Sequence, residues 1–360
     1  MMKNYCIVLR NRKNGVLTPN FAPVVDAFLS GGYFFDEVVL LPYEQVGVLH
    51  AKITDCLQTP SFVCVVVDNV LLSGVKNNLT QTFSALFEQD FASIDQSFLC
   101  VLPSGIEGGK VVQTQIVPLL NERLNIRYDR MIFRTVGATE ERVQRAIDAA
   151  YAVSGDALSY HYTDDFADGR LEVLYSSLTP KMLADQVIRI ILSELDEYIY
   201  ALDDTPLPQR IYEALKLRKS KLSVAESFTG GGICSKMVQI PGVSEVFTEG
   251  VTAYANQAKM LRLGVKEQTL KQCGAVSKQT AHEMAEGLFS TGNCNVCVAT
   301  TGIAGPKSDD TKKPVGLCYI AAGINGQIFV NEYVFEGDRE RITKTAVNYA
   351  LFSLFKLLKE

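Results

Sequence analysis

The sequence predicts an α/β protein made of two α/β domains with largely parallel or mixed sheets, joined by a small α+β linking subdomain. Short continuous apolar runs alternate with amphipathic segments over the first third of the chain, and the same alternation is found after residue 222. Continuous apolar strands separated by helices are typical of a parallel sheet covered on both faces. The strand candidates of the first third are YCIVL (5–9), VVLL (38–41), FVCVVV (62–67) and FLCVLP (98–103).

The composition excludes several classes of protein. Of the 360 residues, 47% are hydrophobic and 21% are charged, which is ordinary for a globular protein. A net charge of −5 and the lack of a Lys/Arg cluster give no electrostatic case for a nucleic-acid partner. No segment approaches the roughly 20 apolar residues that span a bilayer, and the apolar run in MMKNYCIVLRNRKNG is too short for a signal peptide. We expect a cytoplasmic protein without a membrane partner, and two sheet domains in an acidic, apolar-rich chain favour a homodimer.

The alternation of apolar runs and amphipathic segments changes after the first 150 residues. GRLEVLYSS (169–177) predicts a strand, and residues 179–201 predict a long amphipathic helix with a frayed end. Together they indicate a small α+β subdomain. A new helix is expected next, with Thr205 as its cap and Pro206 at its first position. The predicted domains are 1–150, 151–203 and 204–360.

The α/β pattern of the last part is again one of strands followed by glycine-rich turns. LSVAES (222–227) and NVCVATTGIAG (295–305) predict strands. VGLCYIAAGI (315–324) and IFVNEYVF (328–335) predict a hairpin joined by Asn325-Gly326. The segment after them predicts a long amphipathic helix.

Cysteine and histidine usage argues against a metal centre. The nine cysteines lie mostly in apolar runs, and the C-x-x-C pair of Cys294 and Cys297 has no second such pair beside it. Only three histidines occur, which weakens a zinc site or a Ser-His-Asp triad. We expect no metal ligands, and a hydrolase built from this sequence would have to activate its nucleophile by other means.

The first candidate turn is AESFTGGG (225–232), directly after a predicted strand. A glycine-rich turn that leads from a strand into a helix presents backbone N–H groups and a helix dipole to an anion. It also brings Ser227 and Thr229 to the carboxyl end of the strand, where open α/β sheets bind ligands. A serine cap with glycines for tight packing is an equally good interpretation.

The second candidate turn lies in TTGIAGPKSDDTKKPVG (300–316). Thr301 and Gly302 follow an apolar strand and are suited to cradle a phosphate or an amide. The segment has neither the G-K-[ST] of a Walker loop nor the order G-x-G-x-x-G. An ordinary loop at the end of a strand remains the alternative.

The third candidate is GVTAYANQAKMLRLGV (250–265), which brings Tyr254, Asn256 and Lys259 close together in sequence. A desolvated lysine loses proton affinity and can then serve as the general base for a serine. A solvated surface lysine is the more frequent alternative. None of the three segments is decisive when taken singly.

Taken together, these motifs resemble the C-terminal domain of the CinA (competence/damage-inducible) family. The resemblance extends over residues 222–357, and six motifs agree in order and spacing. They are AESFTGGG, IPGVSEVFTEGVTAYANQAKMLRLGV, CGAVSKQTAHEMAEG, TGIAGP, KKPVGLCYIA and FEGDRERI. Members of that family are nicotinamide mononucleotide deamidases, which hydrolyse the pyridine carboxamide and release ammonia. The family pattern A-E-S-C-T-G-G has Phe228 in place of its cysteine here.

The resemblance implies a Ser-Lys hydrolase that needs no cofactor and acts on a small nucleotide. Ser227 would attack the carboxamide carbon and Lys259 would take the hydroxyl proton. Tyr254 would orient the lysine or pass a proton to the departing ammonia. Backbone N–H groups at Thr229–Gly231 or Thr301–Gly302 would stabilise the oxyanion. Arg339 is the candidate for the substrate phosphate, with a surface salt bridge as its alternative. The predicted substrate contacts are Glu226, Thr229, Gly230, Gly231, Asn256, Thr301, Gly302 and Arg339.

The N-terminal region resembles the molybdopterin-binding-like domain that precedes this domain in full-length CinA proteins, which is associated with metal-dependent ADP-ribose pyrophosphatase activity. Its loops depart from that family. RNRKNGVLTPN replaces an early G-T-E stretch, VDNVLLSGVKNNLT has lost a glycine pair and both acids, and a P-G-P-P turn survives only as Leu102-Pro103-Ser104-Gly105. We therefore expect no divalent metal and no pyrophosphatase activity there. A two-activity enzyme and a non-catalytic nucleotide-binding protein remain the alternative functions.

Overall fold

The computed structural model describes residues 2–11, 19–88, 90–308 and 313–359. It confirms the predicted α/β class, with three sheets of parallel or mixed strands. The chain divides into two compact units, one formed by Met1–Asp129 with Leu174–Pro180 and the other by Arg130–Val173 with Lys181–Glu360. None of the helices formed by the described residues is long and apolar enough to cross a membrane.

This division differs from the predicted boundaries after residues 150 and 203. Residues 130–150, which we assigned to the N-terminal domain, belong to the second unit, and residues 151–203 do not form a unit of their own. The reason is a strand at Tyr128–Val136 that pairs with Ile199–Ala201 and so ties the two ends of this region together.

The first unit is built on a five-stranded sheet in which every predicted strand is confirmed. Its strands are Lys3–Arg10 (β1), Glu37–Pro42 (β2), Ser61–Val67 (β3), Phe91–Ile94 (β4) and Ser97–Pro103 (β5). The strand order is β2-β1-β3-β5-β4, and only β4 is antiparallel to its neighbour. All seven residues of β3 are buried, as expected for a strand covered on both faces.

Five helices belong to this first unit. They are Ala22–Ser30 (α1), Val46–Cys56 (α2), Leu72–Phe83 (α3), Gly105–Val111 (α4) and Val117–Leu124 (α5). The segment RNRKNGVLTPN, which departs from the family pattern, lies partly outside the described residues.

A four-stranded sheet opens the second unit. Its elements are Tyr128–Val136 (β6), Glu140–Ser154 (α6), Leu158–Asp165 (β7), Asp168–Ser176 (β8), Lys181–Leu195 (α7) and Ile199–Ala201 (β9), in the sheet order β7-β8-β6-β9. The helix predicted over 179–201 with a frayed end is confirmed over Lys181–Leu195, but its last residues form a strand rather than a frayed helix. The chain leaves the helix after Leu195 and pairs with β6 through β9, a contact that helical periodicity does not report.

The five-stranded sheet of the second unit carries the candidate site. Its strands are Leu222–Glu226 (β10), Phe247–Thr252 (β11), Val296–Gly302 (β12), Leu317–Ile324 (β13) and Gln327–Val334 (β14). In the order β11-β10-β12-β13-β14, the first three strands are parallel and the last two antiparallel. The predicted hairpin is confirmed, because Asn325 and Gly326 join β13 to β14 and both have a positive φ.

Among the described residues, six α-helices belong to this part of the second unit. They are Leu207–Leu217 (α8), Gly232–Val238 (α9), Asn256–Leu263 (α10), Glu267–Cys273 (α11), Lys278–Ser290 (α12) and Arg339–Lys359 (α13). The predicted start of α8 is wrong by one residue. Pro206 occupies the cap position, and the backbone N–H of Thr205 donates to the Asp203 carboxylate.

Two helices approach each other closely where the site is formed. A Cβ added at Gly287 of α12 would lie 2.0 Å from the carbonyl oxygen of Leu263, the last residue of α10. Because that oxygen belongs to the backbone, it cannot turn away as a flexible side chain can. The glycine therefore fixes the distance between α10 and α12.

Replacing Gly287 with alanine is expected to destabilise the protein by about 1–3 kcal/mol, the usual cost of overpacking a core. The measurement is the midpoint of thermal or urea unfolding. Gly47→Ala is the matched control, because Gly47 also lies in a helix and a Cβ added there meets nothing within 4 Å. Equal losses in the two variants would contradict the close approach of α10 and α12.

Candidate active site

Ser227 stands at the carboxyl end of the central strand β10. Its backbone N–H donates to the carbonyl oxygen of Thr300 on β12 at 3.1 Å, so the two strands continue their pairing for one residue beyond the end of β10. The residue is only 7% exposed, and it lines a cavity of about 270 Å³. A hydroxyl at this edge of an α/β sheet is well placed to meet a ligand.

Lys259 meets Ser227 in this cavity. Its ammonium nitrogen lies 2.9 Å from Ser227 Oγ, 2.9 Å from the Ala253 carbonyl oxygen and 2.8 Å from the Tyr254 carbonyl oxygen. The side chain comes from α10 and the residue is 1% exposed. The solvated surface lysine that the sequence left open as an alternative is therefore not what the fold contains.

The three oxygens around Lys259 suit the neutral amine as well as the ammonium. An ammonium donates to all three, whereas a neutral amine donates its two N–H groups to the carbonyls and keeps its lone pair for the Ser227 hydroxyl. Burial lowers the pKa of Lys259 to about 8, because the charged form loses its hydration. A substantial share of the amine is then neutral near pH 8 and able to accept a proton.

Glu226 does not present its carboxylate to the cavity. Its Oε2 accepts the backbone N–H groups of Gly231 at 3.0 Å and Ile233 at 3.1 Å, and its Oε1 accepts that of Cys234 at 2.9 Å. The residue is fully buried. We predicted a substrate contact here, and the structure instead commits this carboxylate to the first turn of α9.

In the glycine turn, the backbone N–H groups of Gly230 and Gly231 donate hydrogen bonds to nearby residues of the same segment. Gly230 and Gly231 both have a positive φ, of 62° and 101°, which explains the need for glycine at these two positions. The N–H of Gly230 donates to the Ser227 carbonyl oxygen, and that of Gly231 donates to Glu226. The predicted role of these two N–H groups as oxyanion donors is therefore wrong in this conformation.

Thr229 also differs from its predicted role. Its hydroxyl lies 2.7 Å from the hydroxyl of Thr300 and the residue is 8% exposed. This pair links the glycine turn to the end of β12. The sequence analysis did not single out Thr300. In Thr300-Thr301-Gly302, the sequence alone does not show that Thr300 contacts Thr229 while Thr301 lines the cavity.

Thr301 and Gly302 form the opposite wall of the cavity. The Thr301 hydroxyl donates to the Ala275 carbonyl oxygen at 2.7 Å and so holds the segment before α12. A Cβ added at Gly302 would lie 2.6 Å from Cys318 Cβ and 2.9 Å from the Phe228 ring. Both residues line the cavity, and their contact with a substrate stays a prediction. Residues 309–312 of the same predicted loop lie outside the described residues.

Tyr254 and Arg339 meet at the mouth of the cavity. Arg339 donates to the Tyr254 hydroxyl at 3.1 Å and to the Gly305 carbonyl oxygen at 2.8 Å. Tyr254 therefore contacts Lys259 through its backbone carbonyl and Arg339 through its ring hydroxyl. Lys307, which the sequence analysis did not single out, lines the same cavity, so two cationic side chains belong to one opening.

Asn256 was predicted to contact the substrate, and the structure does not support this. It is the first residue of α10 and is exposed. It is not one of the described residues that line the cavity. Within the described ranges, no group of three or more His, Cys, Asp or Glu side chains is arranged to hold a metal ion.

The second unit matches a known domain. Residues 204–358 match the family model of the CinA C-terminal domain. The crystal structure of a competence-damaged protein (CinA) superfamily protein from Klebsiella pneumoniae is 30% identical in sequence, with a TM-score of 0.42. That match covers 42% of this chain and 96% of the Klebsiella chain.

Two longer relatives extend the match beyond this domain. A protein of Caldicellulosiruptor saccharolyticus that bears the name competence-damage inducible protein is 36% identical over 245 residues, which are 68% of this chain and 60% of the relative. A protein of Clostridium beijerinckii with the same name is 31% identical over 287 residues, 79% of this chain and 69% of the relative. The chain thus spans about three fifths of the first relative's length. Taken together with the domain match, these similarities show that the chain belongs to the CinA family.

Proposed function

We propose that the second unit hydrolyses the carboxamide of nicotinamide mononucleotide to a carboxylate and releases ammonia. The observation that carries the proposal is the 2.9 Å contact between Lys259 Nζ and Ser227 Oγ inside a cavity. A serine becomes a nucleophile when a base within hydrogen-bond reach can take its proton. Family membership agrees with this chemistry without specifying the amide.

In the first half of the proposed reaction, Ser227 Oγ bonds to the carboxamide carbon and its proton passes to the neutral amine of Lys259. The carbonyl electron pair moves onto oxygen. When this intermediate collapses, the C–N bond breaks and the proton on Lys259 leaves with the amide nitrogen as ammonia. An ester between the substrate acyl group and Ser227 remains.

In the second half, water takes the place that ammonia leaves. Lys259, again neutral, accepts a proton from that water as its oxygen bonds to the ester carbon. Collapse of the second intermediate breaks the bond to Ser227 Oγ, which recovers its proton from Lys259. The products are the carboxylate and the free enzyme, and the amine is restored for the next turnover.

The cavity suits a ring amide that carries an anionic tail. At about 270 Å³ it is near the lower limit of ligand cavities, so a pyridine ring and its carboxamide would occupy it while the rest of the substrate extends outward. Arg339 and Lys307 line the same opening. Arginine and lysine are the side chains that bind phosphate most effectively.

Ser227→Ala is expected to abolish ammonia release, and Lys259→Met to lower kcat/KM by about 10²–10⁴-fold, the usual contribution of a general base. The measurement is ammonia released from nicotinamide mononucleotide by the full-length protein. Lys271→Met is the matched control, since Lys271 is a solvent-exposed lysine of the same unit, paired with Glu267. Full activity in Ser227→Ala would end the proposal. A folded wild type with no turnover would favour another amide or a non-catalytic binding protein.

The pH profile of kcat/KM is expected to follow the titration of Lys259. Because burial lowers the pKa of this group to about 8 and only the neutral amine accepts the serine proton, activity should rise with pH up to that value and level off above it. Below it, kcat/KM should fall about tenfold for each pH unit. The check is a profile measured from pH 6 to pH 10, and a flat profile between pH 6 and pH 8 would contradict the role of Lys259.

Arg339→Met is expected to raise KM for nicotinamide mononucleotide by at least about tenfold, the effect of losing a hydrogen bond to a charged group. The riboside, which lacks the phosphate, should be affected far less. Arg341→Met is the control, since Arg341 is an exposed arginine two residues further along the same helix that lines a different cleft. Equal losses with both substrates would argue against a phosphate contact at Arg339.

A further inference from the structure

The buried carboxylate of Glu226 is a group that the proposed hydrolysis does not use. It immediately precedes Ser227, is fully buried, and accepts three backbone N–H groups from residues 231, 233 and 234. A carboxylate in such a position is a strong constraint, because charge-assisted hydrogen bonds are about twice as strong as neutral ones. It fixes the turn that carries the nucleophile.

The bonds of this turn leave few N–H groups free. Gly230 donates to the Ser227 carbonyl oxygen, Gly232 donates to that of Thr229, and Gly231 donates to Glu226. Within the described part of the chain, the backbone N–H groups of Phe228 and Thr229 have no acceptor. These two groups follow the nucleophile directly.

The two free N–H groups belong to residues that line different cavities. Phe228 lines the cavity that holds Ser227 and Lys259. Thr229 instead lines a neighbouring cavity of about 310 Å³, together with residues of α9 and α13. Of the two residues whose N–H groups are free, Phe228 is therefore the one that shares a cavity with Ser227 and Lys259.

We infer that Glu226 is a positioning residue that holds the turn so that the Phe228 backbone N–H stabilises the oxyanion formed when Ser227 attacks. The inference rests on the proposed acyl transfer by Ser227, but not on which amide is the substrate. Because Glu226 occupies the N–H groups at the start of α9, these do not compete for the oxyanion. A donor next to the nucleophile in sequence moves with it and keeps its distance from the reacting carbon.

Glutamine cannot replace this carboxylate. Oε2 serves two N–H groups and Oε1 serves the third, so all three donors need an acceptor. The amide of glutamine has one acceptor oxygen and one NH₂ group, which would face an N–H group and repel it. The first turn of α9 must then shift, and the Phe228 N–H shifts with it.

The experiment is covalent labelling of Ser227 in the full-length protein by a small fluorophosphonate, followed by intact mass. Ser227 Oγ bonds to phosphorus, fluoride leaves, and the serine proton passes to Lys259. Each protein is also labelled with the matching reagent in which sulfur replaces the phosphoryl oxygen. Since sulfur accepts hydrogen bonds poorly, the ratio of the two rates reports oxyanion stabilisation separately from the position of the serine.

Glu226→Gln is expected to slow labelling by the oxygen reagent at least about tenfold, as for a lost oxyanion donor. The sulfur reagent should be affected much less, so the ratio of the rates falls, while the pH midpoint of labelling stays at the wild-type value. Glu226→Asp, which keeps the charge on a shorter side chain, should give an intermediate ratio and provides the same comparison if the amide variant does not fold.

Glu283→Gln is the matched control. Glu283 is also buried and accepts three hydrogen bonds, from Lys266, Thr269 and Gln279, but it does not line the cavity. Its labelling ratio should equal that of wild type even if its melting temperature falls. An unchanged ratio in the Glu226 variants, or an equal change in Glu283→Gln, would overturn the inference.

The same experiment separates this inference from the proposed substrate. A wild-type protein that is labelled at Ser227 but releases no ammonia from nicotinamide mononucleotide refutes that substrate and leaves the role of Glu226 to be decided by the ratio. A folded wild type that is not labelled at all refutes Ser227 as a nucleophile and the role of Glu226 with it.

Discussion

A lysine side chain held away from water between two carbonyl oxygens and one hydroxyl is the constraint on which the candidate site depends. Burying an ammonium is costly unless its hydrogens are all accepted, and the backbone oxygens of Ala253 and Tyr254 with Ser227 Oγ accept them here. The same burial lowers the proton affinity of Lys259. The three acceptors therefore limit the cost of burying this group, and the burial itself gives the amine a base strength suited to neutral pH.

The rest of the domain supplies the geometry that this contact requires. The central strand β10 lies between β11 and β12, in a register that aligns Glu226 with Thr252 on one side and Thr300 on the other. Ser227 leaves the sheet at the end of β10, and the carbonyl oxygens of Ala253 and Tyr254 follow the end of β11. Lys259 comes from the next helix, α10, which Gly287 allows to approach α12 closely. The site is thus assembled where neighbouring parallel strands end, the position at which open α/β sheets bind ligands.

The sequence was sufficient for the features that depend on local pattern and insufficient for those that depend on tertiary contacts. Continuous apolar runs predicted β1, β3 and β5, and Asn325-Gly326 predicted the last hairpin, because turn chemistry and burial on both faces leave local signals. The three-residue strand β9 leaves none, since its pairing with β6 is defined by a distant partner. The contact between Ser227 and Lys259 is also tertiary, and only the family resemblance indicated it. The same resemblance gave Glu226 and Asn256 roles that the hydrogen bonds of Glu226 and the exposure of Asn256 do not support. The loss of pyrophosphatase activity from the N-terminal region stays a prediction.

Phe228, which stands where the family pattern that this sequence resembles has a cysteine, forms part of one wall of the cavity. Its ring is 5% exposed, and a Cβ at Gly302 would lie 2.9 Å from it. Gly302 is not at a positive φ, so no backbone conformation demands glycine there, and the requirement is one of space. We had interpreted Gly302 as a flexible element of a ligand cradle. The contacts indicate instead that the missing side chain makes room for the Phe228 ring and for Cys318. An aromatic residue therefore fits directly after Ser227, whose Oγ lies 2.9 Å from Lys259 Nζ.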